Sequence, residues 1–251
     1  MSENSKIEWT EATWNPVTGC TKISMGCENC YAERMAIRLQ AKGSPNYING
    51  FNVTLHQHII DLPKKWKKPR VIFVNSMSDL FHEKVPIDYM QNIFRTMNEC
   101  QNHIFQILTK RAERLEELSP LLSWTNNIWM GVTIEHKDYL HRMDLLRETG
   151  AKVKFISFEP LLSSMPELDL KKIDWVIVGG ESGPKARPMD QEWAIDIRNQ
   201  CISKQTPFFF KQWGGVNKKK SGRLLEGKEW NETPNHKPVS PIESQLALGI
   251  I

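Results

Sequence analysis

Short apolar runs alternate with amphipathic stretches along most of the chain. Six runs are rich in β-branched or aromatic residues and bounded by turn or polar residues, as is typical of buried strands. They are RVIFVNS (70–76), HIFQILT (103–109), NIWMGVTI (127–134), KVKFISF (152–158), DWVIVGG (174–180) and TPFFFKQW (206–213). Helix-like segments lie between them, at residues 88–100, 112–122, 137–150 and 190–203.

This alternation predicts a parallel sheet covered by helices. With a further short strand near residues 14–18, it indicates an α/β fold with a full or partial (β/α) barrel of about six to seven parallel strands. A doubly wound open sheet is the alternative. The alternation of apolar runs and amphipathic stretches stops near Asn217. We therefore expect a barrel domain over residues 1–216 and a C-terminal extension and tail over residues 217–251.

Polar residues follow each predicted strand. The carboxyl ends of parallel strands meet at one edge, where ligands bind in barrels and open sheets alike. We therefore expect a polar pocket of the kind found in enzymes. The residues at these ends are Asn75, Ser76, Ser78, Asp79, Thr109, Lys110, Arg111, Thr133, Glu135, Ser157, Glu159, Gly179, Gly180, Glu181, Ser182, Lys211, Gln212 and Trp213.

The composition and the start of the chain bear on where in the cell the protein is expected. Hydrophobic residues make up 40% and charged residues 25% of the 251 positions, as in an ordinary globular protein. No apolar run approaches the roughly 18 residues of a membrane helix, and the polar start of the chain lacks the apolar core of a secretion signal. These features predict a cytoplasmic protein. In a reducing cytoplasm, clustered cysteines indicate metal or redox chemistry before disulfides.

The net charge of +4 is mild, but two segments, residues 64–70 and 218–223, are compactly basic. Nucleic-acid binding and ordinary solvated loop charge both explain them. Nine tryptophans are many for this length. Most are expected to be packing residues, while one or two are available to stack on a base.

Three of the five cysteines, Cys20, Cys27 and Cys30, fall within eleven residues. A structural zinc ion takes four ligands, and the fourth would have to be His56 or His58. Thiolates are also the normal ligands of an iron–sulfur cluster. Three of them on a [4Fe–4S] cluster would leave one iron open for a substrate or cofactor. The position of the loop beside the first strand, at the polar end of the sheet, favours the cluster. Cys100 and Cys201 are spaced like core residues.

Several motifs together resemble a known family. WNPVTGC…SMGCENCYA, FVNSMSDLF, ISFEPLL, VIVGGESGP…RPM and FFFKQWGG are similar to a phage-associated family of three-Cys-motif proteins, over about residues 7–234. Clustered cysteines after a first short strand of a β/α barrel also resemble the radical S-adenosylmethionine superfamily. The chain therefore resembles a divergent relative of that superfamily.

The resemblance implies a reaction class and two cofactors, a [4Fe–4S] cluster and S-adenosylmethionine. The open iron would bind the amino and carboxylate groups of S-adenosylmethionine. An electron from the reduced cluster would cleave the sulfonium to give a 5′-deoxyadenosyl radical, so an electron donor is implied as a partner. The cofactors would carry the chemistry, while the protein positions the reactants and excludes water.

The chain departs from the superfamily pattern in two places. The first gap between cysteines is six residues instead of three, and Asn29 stands where an aromatic residue usually precedes the last cysteine. The usual Gly-Gly-Glu element is replaced by NSMSD. By position alone, Asp79 is a candidate for the methionyl ammonium, although it could instead cap a helix. The other positional candidates for cofactor binding are Ser78, Thr133, Glu135, Gly179, Gly180 and Glu181.

The cations at the predicted barrel mouth suit an anionic substrate, such as a nucleotide or a nucleic-acid backbone. Alternatively, they neutralise the neighbouring carboxylates. The candidate substrate-binding residues are Lys110, Arg111, Glu159, Lys211, Gln212 and Trp213.

Two hypotheses follow. The first is a radical S-adenosylmethionine-type enzyme that repairs or modifies a nucleic acid or nucleotide. The second is a zinc- or cluster-stabilised nucleic-acid-binding protein without catalysis. A metal-independent hydrolase has no support, because GGESG lacks the order of a nucleophile elbow and GGVNKKKSG lacks the spacing of a phosphate-binding loop.

Overall fold

The computed structural model describes Ser5 and residues 7–235. The predicted tail, residues 236–251, lies outside the described residues. Seven parallel strands form the main sheet: β1 (Ala12–Trp14), β4 (Val71–Val74), β5 (Ile104–Thr109), β6 (Ile128–Thr133), β7 (Val153–Phe158), β8 (Trp175–Gly179) and β9 (Phe208–Gln212). Two short strands, β2 (Val17–Thr18) and β3 (Thr54–Leu55), pair antiparallel outside it.

The order of the strands in space follows their order in the chain, from β1 to β9. A doubly wound sheet would reverse that order at a switch point, so the alternative architecture is excluded. The sheet curls into a half-barrel that does not close. The predicted partial (β/α) barrel is therefore confirmed, and each of the six long apolar runs contains a strand. The strand expected near residues 14–18 lies earlier, at β1, because Val17 and Thr18 pair with β3 instead.

Helices cover the outer face of the sheet. They are α2 (Ile87–Glu99), α3 (Ala112–Leu118), α4 (His141–Arg147) and α5 (Gln191–Ser203). Helix α1 (Tyr31–Ala41), between β2 and β3, packs in a separate small cluster, and the single turn α6 (Lys218–Ser221) follows β9. Two of the predicted helices are shorter than expected, because separate 3₁₀ turns precede α4 and follow α3. The turn after α3 has a proline in its first positions, where its missing N–H is tolerated. Proline is not tolerated in the interior of an α-helix, so α3 does not continue through it.

An aromatic cluster fills the inner face of the curled sheet, which the helices do not cover. Trp9 lies across it, with its ring centroid 4.7 Å from that of Phe73 and 6.1 Å from that of Trp175. Trp129 and Phe155 extend the cluster, and all five are buried. Large buried rings contribute strongly to stability. They confirm that several tryptophans are packing residues, and they leave the carboxyl ends of the strands free for polar side chains.

The described part of the predicted extension packs against β9. Leu225 is fully buried, and the Trp230 ring lies 5.9 Å from Phe208. Phe210 N–H donates to the carbonyl of Trp230, at 2.9 Å. The boundary at residue 217 stays a prediction. Among the described residues, no helix is both long and apolar enough to cross a membrane.

The contact between Gly131 and Phe155 yields a stability test. The two residues face each other in the β6–β7 register, and a Cβ on Gly131 would lie 2.5 Å from the Phe155 ring. Overpacking of this kind costs about 1–3 kcal/mol. We expect Gly131→Ala to lower the free energy of unfolding by that amount, measured by urea denaturation.

The double variant Gly131→Ala/Phe155→Leu provides the control. The smaller leucine leaves room for the added methyl group, so the two substitutions should couple favourably. Strictly additive losses would mean that the ring does not limit the space above Gly131.

Candidate functional site

A cavity of about 330 Å³ opens at the carboxyl end of the sheet. One wall is apolar and is formed by Ile7, Trp9, Phe73 and Leu108. The rest of the cavity wall is mostly polar. Its residues from the predicted set are Lys110, Thr133, Ser157, Glu159, Gly180, Glu181, Ser182, Lys211 and Gln212. A cavity with an apolar side and a few convergent polar groups is the usual form of a small-molecule site.

The cysteine loop, residues 20–30, connects β2 to α1 and borders this cavity. Cys27 and Cys30 line the cavity, whereas Cys20 does not. All three are free thiols of intermediate exposure. Gly19, which precedes the loop, has φ of +81°, and a Cβ there would lie 2.2 Å from the carbonyl oxygen of Asn52. The backbone can enter the loop in this shape only with glycine at that position.

Asp79 is not in the cavity wall but under the start of the loop. Its carboxylate accepts hydrogen bonds from Thr109 Oγ1 at 2.7 Å, Phe81 N at 3.0 Å and Arg111 Nη1 at 3.1 Å. Arg111 Nη1 also lies 3.5 Å from Cys20 Sγ. Burial, followed by the Asp79 carboxylate, raises the pKa of the Cys20 thiol to about 11 against the opposing effect of Arg111. Neutral Cys20 is therefore the form favoured in the metal-free loop.

Cys27 has the opposite electrostatic setting. Burial raises the pKa of its thiol, but the Lys110 ammonium and backbone hydrogen bonds at Ile23 and Ser24 outweigh this effect and lower the pKa. Lys110 lines the cavity, and its Nζ makes no ion pair with a carboxylate of residues 7–235. The Lys110 ammonium is thus placed to stabilise the Cys27 thiolate and to bind an anion in the cavity.

Glu135 lies beneath the middle of the loop and is fully buried. Its Oε2 pairs with Arg142 Nη1 at 2.9 Å, and its Oε1 accepts the Gly26 N–H at 3.3 Å. A Cβ on Gly26 would lie 2.9 Å from the Glu135 side chain, so the loop could not come this close with a larger residue. Glu135 does not line the cavity, although Thr133, two residues earlier, does.

Glu181 lies beside the end of the loop. Its carboxylate accepts from Arg187 Nη2 at 2.6 Å and from Asn29 Nδ2 at 3.0 Å. Arg187 in turn donates to the Met25 carbonyl and pairs with Glu28, both at 3.0 Å. Burial raises the pKa of Glu181, but the hydrogen bonds from Arg187 and Asn29 more than offset this, so its pKa lies below the usual value. Glu181 is ionised at neutral pH.

The remaining predicted residues are divided between cavity and framework. Glu159 and Lys211 form an ion pair of 3.0 Å in the cavity wall. Gln212 is also in the wall, and its Nε2 donates to Ser182 Oγ. Gly179 leaves room for Glu159, since a Cβ there would lie 2.6 Å from Glu159 Oε1. Like Asp79, Glu135 and Gly179, three further predicted residues lie outside the cavity wall: Ser78 donates to the Val17 carbonyl at 2.8 Å, Trp213 donates to the Leu224 carbonyl at 2.9 Å, and Arg111 is buried beside Asp79.

The histidines considered as a fourth zinc ligand directly follow β3. His56 is buried, and its Nε2 is 2.8 Å from Thr18 Oγ1. The His58 ring lies 5.9 Å from that of His56. Within residues 7–235, no three side chains of the types His, Cys, Asp and Glu are gathered so that they could hold a single metal ion.

The two basic segments lie at opposite ends of the sheet. Residues 64–70 precede β4 and so lie at the amino end, away from the cavity. There, Lys64 is paired with Asp61 and Glu99, each at 2.7 Å. The second segment, residues 218–223, follows β9 and lies on the cavity side. Of the two, the second segment is the one that follows the carboxyl end of a strand.

Comparison with known proteins identifies the family. Residues 4–234 match the family described as "Protein of unknown function (DUF5131)". The chain belongs to this family. No curated protein matches the sequence.

One solved structure, "Spore photoproduct lyase complexed with dinucleoside spore photoproduct", is similar to this DUF5131 chain with a TM-score of 0.48 and 12% sequence identity. The alignment covers 78% of this chain and 74% of that chain. A likeness at this level establishes neither a shared fold nor a shared activity.

Sequence reasoning missed two arginines of the DUF5131 site. Arg142 lies inside α4 and Arg187 lies in the loop after β8, so neither directly follows a strand. Arg187 belongs to the quoted motif VIVGGESGP…RPM, which was a usable signal, but its contact with a loop about 160 positions earlier could not be read from spacing. Arg142 carries no comparable signal.

The contrasting thiol environments predict an order of reactivity in the metal-free protein. Burial raises the pKa of Cys20 to about 11, whereas the pKa of Cys27 is lowered, so Cys27 has the higher thiolate content; its lower intrinsic nucleophilicity offsets part of this advantage. We expect iodoacetamide at pH 8 to alkylate Cys27 about tenfold faster than Cys20, as followed by peptide mass spectrometry.

Two comparisons make this test specific. Lys110→Met should slow the alkylation of Cys27, because the ammonium that stabilises its thiolate is gone. Burial raises the pKa of Cys100 to about 11, so this thiol should stay unmodified in the folded protein. Equal rates at Cys20 and Cys27 would contradict the described electrostatics.

Proposed function

We propose that this protein is a radical S-adenosylmethionine-type enzyme whose substrate is a nucleic acid or a nucleotide. One observation carries the proposal: a loop with three free thiols lies over the polar end of a partial barrel, and two of those thiols border a cavity. A loop whose cysteines bind a metal only to stabilise the fold does not require a cavity beside it.

The chemistry of the donor set fits a cluster. Cys20, Cys27 and Cys30 would hold it, and each thiolate would bind a different iron, so the three need not converge on one point. A single zinc ion does require convergence, and residues 7–235 contain no such group. When bound, a reduced cluster supplies the electron that cleaves S-adenosylmethionine to the 5′-deoxyadenosyl radical.

The residues of the cavity wall supply binding and protection. Thr133 and Gly180 line the cavity together with Cys27 and Cys30. The Thr133 hydroxyl offers a hydrogen-bonding group there, as a polar cofactor requires, whereas the Gly180 N–H already donates to the Gln212 carbonyl at 3.0 Å. A Cβ on Gly180 would lie 2.0 Å from the Trp213 carbonyl oxygen, so the backbone is closely packed at this point. The apolar wall, with Trp9 and Phe73, limits the access of water to a reactive radical.

The charges of the wall support an anionic, base-containing substrate. Lys110 has no carboxylate partner within residues 7–235, and Lys211 forms an ion pair with Glu159. Lysine is a common partner of phosphate groups. Trp9 and Phe73 provide ring surface in the same cavity, and aromatic surface is a usual platform for bases. Nucleobase repair or modification is the reaction class that these groups serve.

The second candidate function is nucleic-acid binding without catalysis. The cysteine loop would then bind zinc or a cluster only to stabilise the fold. The basic segment at residues 218–223, on the cavity side of β9, favours it. On this proposal, the cavity wall is part of a groove rather than a reaction chamber.

Anaerobic reconstitution tests the proposal. The protein is loaded with iron and sulfide and reduced, and its electron paramagnetic resonance spectrum is recorded with and without S-adenosylmethionine. We expect a four-iron signal that changes when S-adenosylmethionine is added, together with 5′-deoxyadenosine. A tightly held zinc ion without cleavage would instead support the binding protein.

Substitution of the ligands gives a separate prediction. Cys27→Ala should abolish formation of the intact cluster and leave the circular dichroism spectrum unchanged, because Cys27 is half-exposed and outside the hydrophobic core. Cys201→Ala, at a buried position in α5, is the matched control and should keep the cluster. A full cluster in Cys27→Ala would show that the ligand assignment is wrong.

A further inference from the structure

Three carboxylates of the site, Asp79, Glu135 and Glu181, have one feature in common. Each is at least nine-tenths buried, each is paired with an arginine, and each pair reaches the cysteine loop. We propose that these three carboxylate–arginine pairs hold the loop in its ligand-presenting shape before any metal enters. The residues are then positioning residues rather than cofactor contacts. The inference rests on the proposed function only in taking residues 20–30 as the ligand loop.

The first pair fixes the start of the loop. Arg111 Nη1 is 3.1 Å from Asp79 Oδ2, and its other nitrogen, Nη2, donates to Thr21 Oγ1 at 3.0 Å and to the Thr21 carbonyl at 3.2 Å. The planar guanidinium therefore spans the carboxylate, the backbone of Thr21 and the neighbouring Cys20 thiol. A single cation with several fixed donors is suited to holding a backbone segment.

The second pair fixes the middle of the loop through its backbone. Arg142 neutralises Glu135 on one oxygen and also donates to the Thr133 carbonyl at 2.8 Å. The second carboxylate oxygen remains for the N–H of Gly26, the residue before Cys27. A charged acceptor makes a stronger hydrogen bond to a backbone N–H than a neutral one does.

The third pair fixes the end of the loop at several points. Arg187 connects Glu181 to the Met25 carbonyl and to Glu28. Asn29 adds a direct bond from the loop to Glu181 at 3.0 Å. These contacts lie on both sides of Cys27 and immediately before Cys30.

The three carboxylates follow alternate strands of the sheet, β4, β6 and β8. Their contacts are therefore spread across the end of the half-barrel and along the whole loop. Each of the three carboxylates already accepts from an arginine and from at least one further donor, so an incoming ammonium group would have to compete with these partners. A buried carboxylate that lost this arginine would carry a large desolvation cost. The pairs therefore have a fixed geometry in the metal-free protein.

Hydrogen–deuterium exchange of the metal-free full chain tests the inference. Glu181→Gln keeps the shape of the side chain but removes its charge. We expect the amides of residues 20–30 to exchange roughly tenfold faster in this variant, since a hydrogen bond to a charged group is lost. Amides of β5 and β6 should exchange at the wild-type rate.

Glu226→Gln is the matched control. Glu226 pairs with the buried Arg198, but neither residue contacts the cysteine loop. We expect this variant to leave exchange in residues 20–30 unchanged. Arg187→Gln, at a part-exposed position, removes the third pair from the side of the arginine and should also speed exchange in residues 20–30. Wild-type exchange of the loop in both Glu181→Gln and Arg187→Gln would overturn the inference.

Rescue by a conservative variant separates positioning from general stability. Arg111→Met should speed exchange at the start of the loop, and Arg111→Lys should recover only the part of the protection that depends on the ion pair with Asp79, because lysine lacks the second donor nitrogen that reaches Thr21. Equal exchange in the two variants would overturn the role of this pair. The metal-free measurement remains decisive even if reconstitution yields no cluster, so failure of the proposed function and failure of this inference are distinguishable.

Discussion

The packing of aromatic side chains inside the curled sheet is the interaction on which the rest of the structure depends. The inner face is filled by rings from several strands and covered by Trp9, without a contribution from the helices. This packing holds the strands in a half-barrel, so their carboxyl ends point toward a common region. The cavity, its polar wall and the seat of the cysteine loop all follow from that convergence.

Buried charge is the second constraint. A half-barrel end crowded with carboxylates would be unstable unless cations neutralised them. The chain supplies arginines for three of these carboxylates and a lysine for Glu159. Lys110 differs from these cations, because within residues 7–235 it makes no ion pair. The electrostatic balance of the site is therefore nearly complete without a ligand, and the remaining positive charge lies beside Cys27.

The sequence predicts the sheet well because its strands are buried and nearly continuous in hydrophobicity. It also predicts which strand ends carry polar residues. It does not separate residues that face the cavity from residues beneath the loop, because Asp79 and Lys110 both follow a strand. That distinction depends on partners distant in sequence, such as Arg187 for Met25 and Arg142 for Glu135. The sequence pattern does not predict helix α1, whose apolar residues Tyr31, Met35 and Ile37 are exposed while only Ala32 and Ala36 are buried.

The described C-terminal extension has a consequence for the open side of the half-barrel. An unclosed sheet has edge strands whose backbone groups can pair with another chain. Along β9, the extension occupies such groups: Phe210 N–H donates to the Trp230 carbonyl, Glu232 N–H donates to the Phe208 carbonyl, and Phe209 bridges to Asn231. The extension thus blocks edge-to-edge association along β9, at one of the two open sides of the half-barrel.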